Sequence, residues 1–449
     1  MLKKLEITSK FLKQVSTLIK SREQAAIIKI FLEIHPADIA EIIENLNDDE
    51  GQYIFEILES QKSADTIIEL EDEIRDNFLS ELSPKEIAED LIEKLESDDA
   101  VDIISDLSED KKNKVLTYIE DKSQYNNITD LLSYDTNTAG GLMAKELIKV
   151  NENWSTVECL AEMRKQAKRI KKVHTIYIID NNNILLGLLS LRNLLVSEKS
   201  TPIKSIIKKD IISVKSYEKK EVVANIMNKY DLVVLPVVDK NNKLLGRITI
   251  DDVIDYVKED AEKDYQMASG ISEDIESNDN IFELTRARLP WLIIGMVGGI
   301  LGAKIIGVFD LENNFELAFF IPLIAAMGGN VGVQSAAIVV QGLANNNLQS
   351  NNISNKLIRE FGVGLLNGII CSIIILFVTI ILGFSFALSI TVSISLLSVI
   401  IFAAIFGTFI PLILNKNNID PALATGPFIT TVNDILGLII YFSIGQAIL

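Results

Sequence analysis

After Arg288 the chain becomes five successive apolar runs, at roughly residues 289–309, 317–344, 361–384, 388–414 and 421–449. Each reaches the ~20 residues that a helix needs to cross a bilayer. In lipid a backbone must satisfy its own hydrogen bonds, so the expectation over 289–449 is a five-helix α transmembrane domain. The links set its orientation. "LTRARLP" before the first run, "SNKLIRE" after the second and "NKNN" after the fourth fall on one side and carry Lys and Arg. The opposite links, "DLENNFE" and "FSFALS", carry none. Basic links stay in the cytosol. The expectation is a multi-pass protein of the cell (plasma) membrane, its N-terminal part cytosolic and its C-terminus outside. Lys304, late in the first run, is placed to snorkel to the outer surface.

Charge divides at the same boundary. Of the net −19, residues 289–449 hold only −2, which leaves −17 on residues 1–288. Such an acidic half excludes a nucleic-acid partner, which needs a basic patch, and favours cations. The two cysteines, Cys159 and Cys371, and the two histidines, His35 and His174, form neither a disulfide framework nor a zinc spacing. The opening "MLKKLEITSKFLKQVSTLIK" lacks the apolar core of a secretory signal. No nucleophile–base pair or phosphate-binding loop marks an enzyme.

Two of the apolar runs carry polar groups. The second contains "MGGNVGVQSAAIVVQG", with Asn330 and Gln334 among glycines that allow close helix approach. The fifth opens with Asp420 and Pro421 as a helix start and is interrupted at Gly426-Pro427, which frees carbonyls where they line protein or water. Beyond the break Thr430, Asp434, Gly437 and Tyr441 share one helical face, flanked by Thr431 and Asn433. An Asp at mid-membrane costs about 2.5–3.5 kcal/mol on insertion scales. Two readings are open: a packed polar cluster, or a wet ion path. The donors available to such a path are hard oxygens, without His or Cys, and suit Mg2+, which keeps its waters and needs one or two carboxylates. A two-fold dimer would set two copies of Asp434 across one axis.

The cytosolic part reads as three segments. Residues 1–133 are an acidic, all-α helical-repeat domain: "PADIAEIIENLNDDE" from Pro36 is echoed by "PKEIAEDLIEKLESDD" from Pro84, a superhelical stack. Asp98, Asp99 and Asp102 cluster at a helix start, where a favourable N-terminal charge is the plain explanation. Residues 134–200 and 201–258 each show a helix, a strand, a "DNNN" or "DKNN" turn, and a second strand with Gly. Residues 259–288 form an acidic connector. Asp252, Asp255, Glu259, Asp260, Glu262 and Asp264 crowd one helix there and the end of the preceding unit, either as a solvated face or as a charged mouth to the membrane part.

"LPVVDKNNKLLGRITIDDV" resembles a CBS domain, so the tandem units imply an α/β CBS pair. Thr249 and Asp252 fit the pattern that holds ribose and phosphate in some such modules. Ser190 and Asn193 in the first unit lack the acid, and the resemblance leaves ATP binding open. The whole order of parts, with "GGNVGVQSA" and "DPALATGPFITTVNDILGLIIY", resembles the MgtE family of magnesium channels. That resemblance implies a homodimer in the lipid bilayer with a pore on its axis. Asp434 would hold hydrated Mg2+, the Thr430 backbone would assist, and Asn330, Gln334, Gly426 and Pro427 would line the path. It further implies regulatory Mg2+ on Asp98 and Asp102, on Glu221 and Asp231, and on Asp252, Asp255, Asp260 and Asp264 of the connecting plug helix. Val333, Gly426 and Lys263 depart from the family pattern. The expected function is Mg2+ import down its electrochemical gradient, closed by cytosolic Mg2+. The alternatives are a broader Co2+ and Ni2+ importer, and a membrane Mg2+ or nucleotide sensor that conducts nothing.

Overall fold

The computed structural model describes residues 7–273, 275, 280–309, 315–344, 353–417, 419–424 and 426–449. They fall into two compact units, residues 1–258 and 259–449.

The first unit begins as a stack of short helices. Helix pairs start at Pro36, Ser60, Pro84 and Glu109, spaced 24, 24 and 25 residues apart. The extra residue of the third pair falls where a π turn, Ile87–Leu91, widens the helix, and such a turn absorbs one residue. The apolar register therefore survives: Ile42 and Ile43 in the first pair, and Leu91 and Ile92 in the third, are at most 3% exposed. Pro36 and Pro84 both stand in a first turn, where a missing N–H costs nothing. Lysines reach back across the stack, each from the first helix of a pair to a helix three earlier in the chain. Lys62 Nζ donates to the carbonyls of Phe31 and Leu32 at 2.5 and 2.8 Å, and Lys111 Nζ does the same for Leu79 and Ser80. Each ammonium meets the negative end of that earlier helix.

Two three-stranded sheets follow, β1 (Ile148–Asn151), β2 (Ile176–Ile179) and β3 (Leu185–Leu189), then β4 (Val214–Lys215), β5 (Val234–Val238) and β6 (Leu244–Thr249). In each, the first strand runs parallel and the third antiparallel to the middle one. The two hairpin turns are built alike. Asp180 Oδ1 accepts from the N–H groups of Asn182 and Ile184, both at 2.8 Å, and Asp239 Oδ1 from those of Asn241 and Lys243 at 2.7 and 2.8 Å. Asn183 and Asn242 take the left-handed conformation the turn requires, both with φ 63°. The hairpins also bond to each other, Leu185 N to Asn242 O and Leu244 N to Asn183 O, at 3.0 and 2.9 Å.

The acid-rich helix starts earlier, and ends sooner, than the connector expected from sequence. It spans Ile250–Ala268, so Lys258 and Glu259, at the division between the units, are consecutive residues within it. Thr249 precedes its first turn and binds Asp252, which fixes the earlier start.

The second unit has five helices long and apolar enough to cross a membrane: Ile281–Val308, Phe315–Ala344, Ile353–Ile381, Phe386–Lys416 and Pro427–Ile448. The first and third start eight residues before their apolar runs, because their charged leading turns are helical too. Residues 310–314 of the "DLENNFE" link lie outside the described residues. Small residues set the packing. A Cβ on Gly407 of the fourth span would lie 2.3 Å from the carbonyl oxygen of Gly332 in the second, so these backbones nearly touch.

Candidate functional site

Two polar groupings stand out among the described residues, a carboxylate cluster in the first unit and one around Asp434 in the second. The first forms at the start of helix Ser97–Asp106, which Glu96 precedes without a side-chain cap. Fully buried Ser97 turns instead to Glu146, giving its N–H and hydroxyl to Oε2 at 3.1 and 2.7 Å. This anchor brings Asp98 and Asp99 into the field of Asp252, at the start of helix Ile250–Ala268. Burial, then the neighbouring carboxylates, pushes Asp98 well above the usual range. Asp99 is raised to about 7, by burial first and then by Asp252. Asp102 keeps an open face to solvent and rises to about 6, by desolvation, with Lys220 and Arg75 opposing Asp106 and Asp252. Desolvation also raises Asp252, although Thr249 donates to its Oδ2 from N–H at 3.0 Å and from the hydroxyl at 2.5 Å.

The other expected cytosolic residues are dispersed. Asp255 is exposed and raised, by desolvation and then Asp251. Asp260 and Asp264 lie farther along the same helix. Glu221 opens helix Lys220–Lys229 and Asp231 follows its end with φ 51°, so about 15 Å of helix separates them within one chain. Among the described residues no three His, Cys, Asp or Glu groups are arranged to hold a metal ion. The Asp98–Asp99–Asp252 group offers oxygen donors only, the chemistry a hard, hydrated cation prefers, and forms no ion pair among the described residues.

Sequence reasoning missed Glu96, Glu146 and Arg247. Arg247 is 3% exposed; its Nη2 meets Glu96 Oε2 at 3.0 Å and its Nε donates to the Glu146 carbonyl. An arginine at the inward-facing end of a strand in "LLGRIT" was the available signal, since a buried guanidinium needs a partner.

The second group lies in the membrane unit. The fifth span starts only at Pro427; the stretch before it makes a single tight turn, Pro421–Ala424, in which Asp420 Oδ1 accepts from Ala422 N at 2.8 Å. Gly426 adopts φ 53° and ψ −124°, and a Cβ there would lie 2.3 Å from the carbonyl oxygen of Ala268. Gly270, with φ 82°, meets Pro427 as closely, a Cβ falling 2.5 Å from its Cγ. The end of the acid-rich helix thus rests directly on the break.

Asp434 follows two turns later. Its Oδ1 lies 3.4 Å from the position of a Cβ on Gly329, and the Thr430 side chain is equally near. Thr430 Oγ1 donates back to the carbonyls of Gly426 and Pro427 at 3.2 and 3.0 Å. Tyr441 belongs to the packing: it is fully buried, with its hydroxyl on Leu317 O at 2.8 Å. Asn433 is 1% exposed, pressed against Gly332, and neither side-chain polar atom has a partner among the described residues. Asn330 and Gln334 are exposed one turn apart on the second span, while Ser335 beside them is buried and donates to Glu360 at 2.8 Å.

Known proteins are similar to this chain along most of its length. Residues 321–444 match the MgtE family model, described as a divalent cation transporter; residues 34–137 match the MgtE intracellular N domain, and 139–198 and 203–259 the CBS domain. The magnesium transporter MgtE of Bacillus subtilis (strain 168) is 31% identical over 417 residues, 92% of each chain. That of Enterococcus faecalis (strain ATCC 700802 / V583) is 30% identical over 445 residues, 98% of this chain and 97% of the relative. A crystal structure of the cytosolic domain of the Mg2+ channel MgtE in complex with ATP is 27% identical, with a TM-score of 0.52, and covers 55% of this chain and 99% of its own.

Proposed function

Because this chain belongs to the MgtE family of divalent cation transporters, we propose that it carries Mg2+ across the cell membrane along a path lined by Asp434. The observation that carries this reading is the placement of Asp434. It stands within a span that begins at a backbone break, beside a glycine, with no cation paired to it among the described residues. A hydrated Mg2+ needs few direct ligands. In a homodimer two Asp434 carboxylates would face one axis, and the exposed amides of Asn330 and Gln334 would meet the hydration shell. The path conducts as a channel, inward along the electrochemical gradient, with the acidic half in the cytosol.

Gating is the second part of the proposal. Burial and mutual repulsion disfavour charge on Asp98, Asp99, Asp102 and Asp252. Mg2+ bound there, and along Asp255, Asp260 and Asp264, removes that repulsion and favours one setting of helix Ile250–Ala268. Its end touches Gly426 and Pro427, so that setting reaches the pore helix. High cytosolic Mg2+ then closes the path.

The test is Mg2+ flux into liposomes holding the full-length protein. Asp434→Ala should lose most of it, and Asp434→Asn should lose divalent selectivity, while both remain folded dimers. Wild-type, Mg2+-selective flux through a folded Asp434→Ala protein would falsify the path. Parallel runs with Co2+, Ni2+ and Ca2+ rank the ions.

ATP binding is a second reading, supported by the ATP-bound cytosolic domain of a relative. Here Thr249 already binds Asp252, so a ribose would compete for that carboxylate, and ATP and Mg2+ would alter each other's affinity reciprocally. Calorimetry that gives no heat at millimolar ATP, with or without Mg2+, would end this reading.

A further inference from the structure

Around Asp434 the fifth span is gripped from two sides by glycines of its neighbours. A Cβ on Gly298 of the first span would lie 2.1 Å from Thr431 Cγ2. A Cβ on Gly332 of the second span would lie 1.9 Å from Asn433 Nδ2 and 2.7 Å from Ile429 Cγ2. On an α-helix Thr431 stands about 60° from Asp434 and Asn433 about 100° from it, on opposite sides, so the two notches flank the acid. They are not equally firm. Leu292, Met296 and Ile300 on the first span are at least 60% exposed, so within this chain little backs that span. Gly332 is backed by the fourth span: a Cβ on Gly407 would lie 2.3 Å from its carbonyl oxygen. One turn away, a Cβ on Gly328 would stand 3.2 Å from Val399 Cγ1 of the fourth span and 3.5 Å from the Asn433 carbonyl oxygen.

We propose that Asn433 is a positioning residue for Asp434. Seated in the Gly332 notch, with the fourth span behind it, it fixes how the fifth span is turned about its own axis, and so where the carboxylate faces. Gly332 has no side chain to give way, and a close-packed interior passes displacement on to its neighbours. The face that carries the acid is held less tightly: a Cβ on Gly329 would stand 3.4 Å from both Asp434 Oδ1 and Thr430 Cγ2, an ordinary contact. The direction of Asp434 is therefore set by the residue beside it. At the outer radius of a helix, ~5–6 Å, a turn of about 20° carries a group by about 2 Å. That is enough to break a hydrogen bond to the water shell of an ion. This inference rests on the reading of Asp434 as the acid of the path; the seat of Asn433 against Gly332 does not.

Two readouts on the full-length protein test it. The first is the rate at which a small cationic thiol reagent modifies Asp434→Cys in nanodiscs, in a background carrying Cys159→Ser and Cys371→Ser. The second is Mg2+ flux into liposomes with Asp434 retained. Asn433→Ala empties the notch and Gly332→Ala fills it. Each should change the modification rate by at least about fivefold and raise the Mg2+ concentration for half-maximal flux by a similar factor. Combining the two should bring both readouts part of the way back, which two independent faults would not do. Gly298→Ala should change less, because its span can yield outward. If Gly332→Ala does not fold, Asn433→Ala carries the test. A merely structural Asn433 would lower maximal flux through loss of folded protein and leave the half-maximal concentration where it was. Modification rates equal to wild type in folded Asn433→Ala overturn the proposal, whatever the flux does. Selective flux through Asp434→Ala would instead remove the path reading, and the cysteine rates alone would then decide the positioning.

Discussion

Helices Asp48–Ile57 and Ser97–Asp106 occupy the same place in the first and third helix pairs, and both open with acids. In the first, Asn47 caps the helix, and Glu50, 7% exposed, receives the Ser16 hydroxyl at 2.6 Å and faces Lys20 at 3.3 Å. Burial alone would raise Glu50, but these partners bring it below its ordinary value. In the third, Asp98 and Asp99 form no ion pair among the described residues, and Asp99 is pushed up to about 7 although Lys171 opposes the rise. A helix N-terminus welcomes negative charge in either place. What separates a structural acid from a candidate site is whether the chain itself supplies the countercharge.

The strongest way to break this contrast is to remove the unpaired charge. Asp98→Asn, Asp99→Asn and Asp252→Asn together should leave Mg2+ conduction intact while shifting closure by cytosolic Mg2+ to concentrations at least about tenfold higher, since each metal shifts the gate only by its differential affinity. Closure that persists at wild-type Mg2+ concentrations in single-channel recordings rules out these acids as the sensor.

A smaller effect separates the two helices by sign. The folded value of Asp99 is raised, to about 7 from 3.8. Its stabilising contribution is therefore complete below the unfolded value and lost as pH rises through about 7. That loss is on the order of a few kcal/mol. Glu50 is lowered from 4.5, so its contribution is present above that value and lost as pH falls. Urea titrations of the protein in EDTA should show stability falling from pH 4 to 7, a slope that Mg2+ flattens. Equal slopes with and without Mg2+ would detach the cluster from the metal.

The smallest expected change is Ser16→Ala. It removes one hydrogen bond to Glu50, should cost about 1 kcal/mol in thermal unfolding, and should leave the Mg2+ response where it was. A shifted response would mean that the first helix pair also takes part in sensing.

Much of the architecture was legible before the structure, for physical reasons. Five apolar runs leave the backbone few options, and the "DNNN" and "DKNN" turns carry their own Asp and Asn chemistry. The acid junction was only half legible. Asp98 and Asp102 stand out in a charge run, but Glu146 and Arg247 come from strands and loops far along the chain, and no periodicity links them to Ser97. The fifth span misled at its start. Pro421 looks like a first-turn proline, yet the helix forms only after Gly426, whose backbone few other residues could adopt.

Gly270 and Gly426 meet their neighbours with no room for even a methyl group. A joint padded by long side chains yields when pushed, because rotamers shift and take up the displacement. This one has no padding. On the proposed function, a push from the end of helix Ile250–Ala268 would reach the start of the fifth span with little of it taken up at the joint, as through a stiff lever.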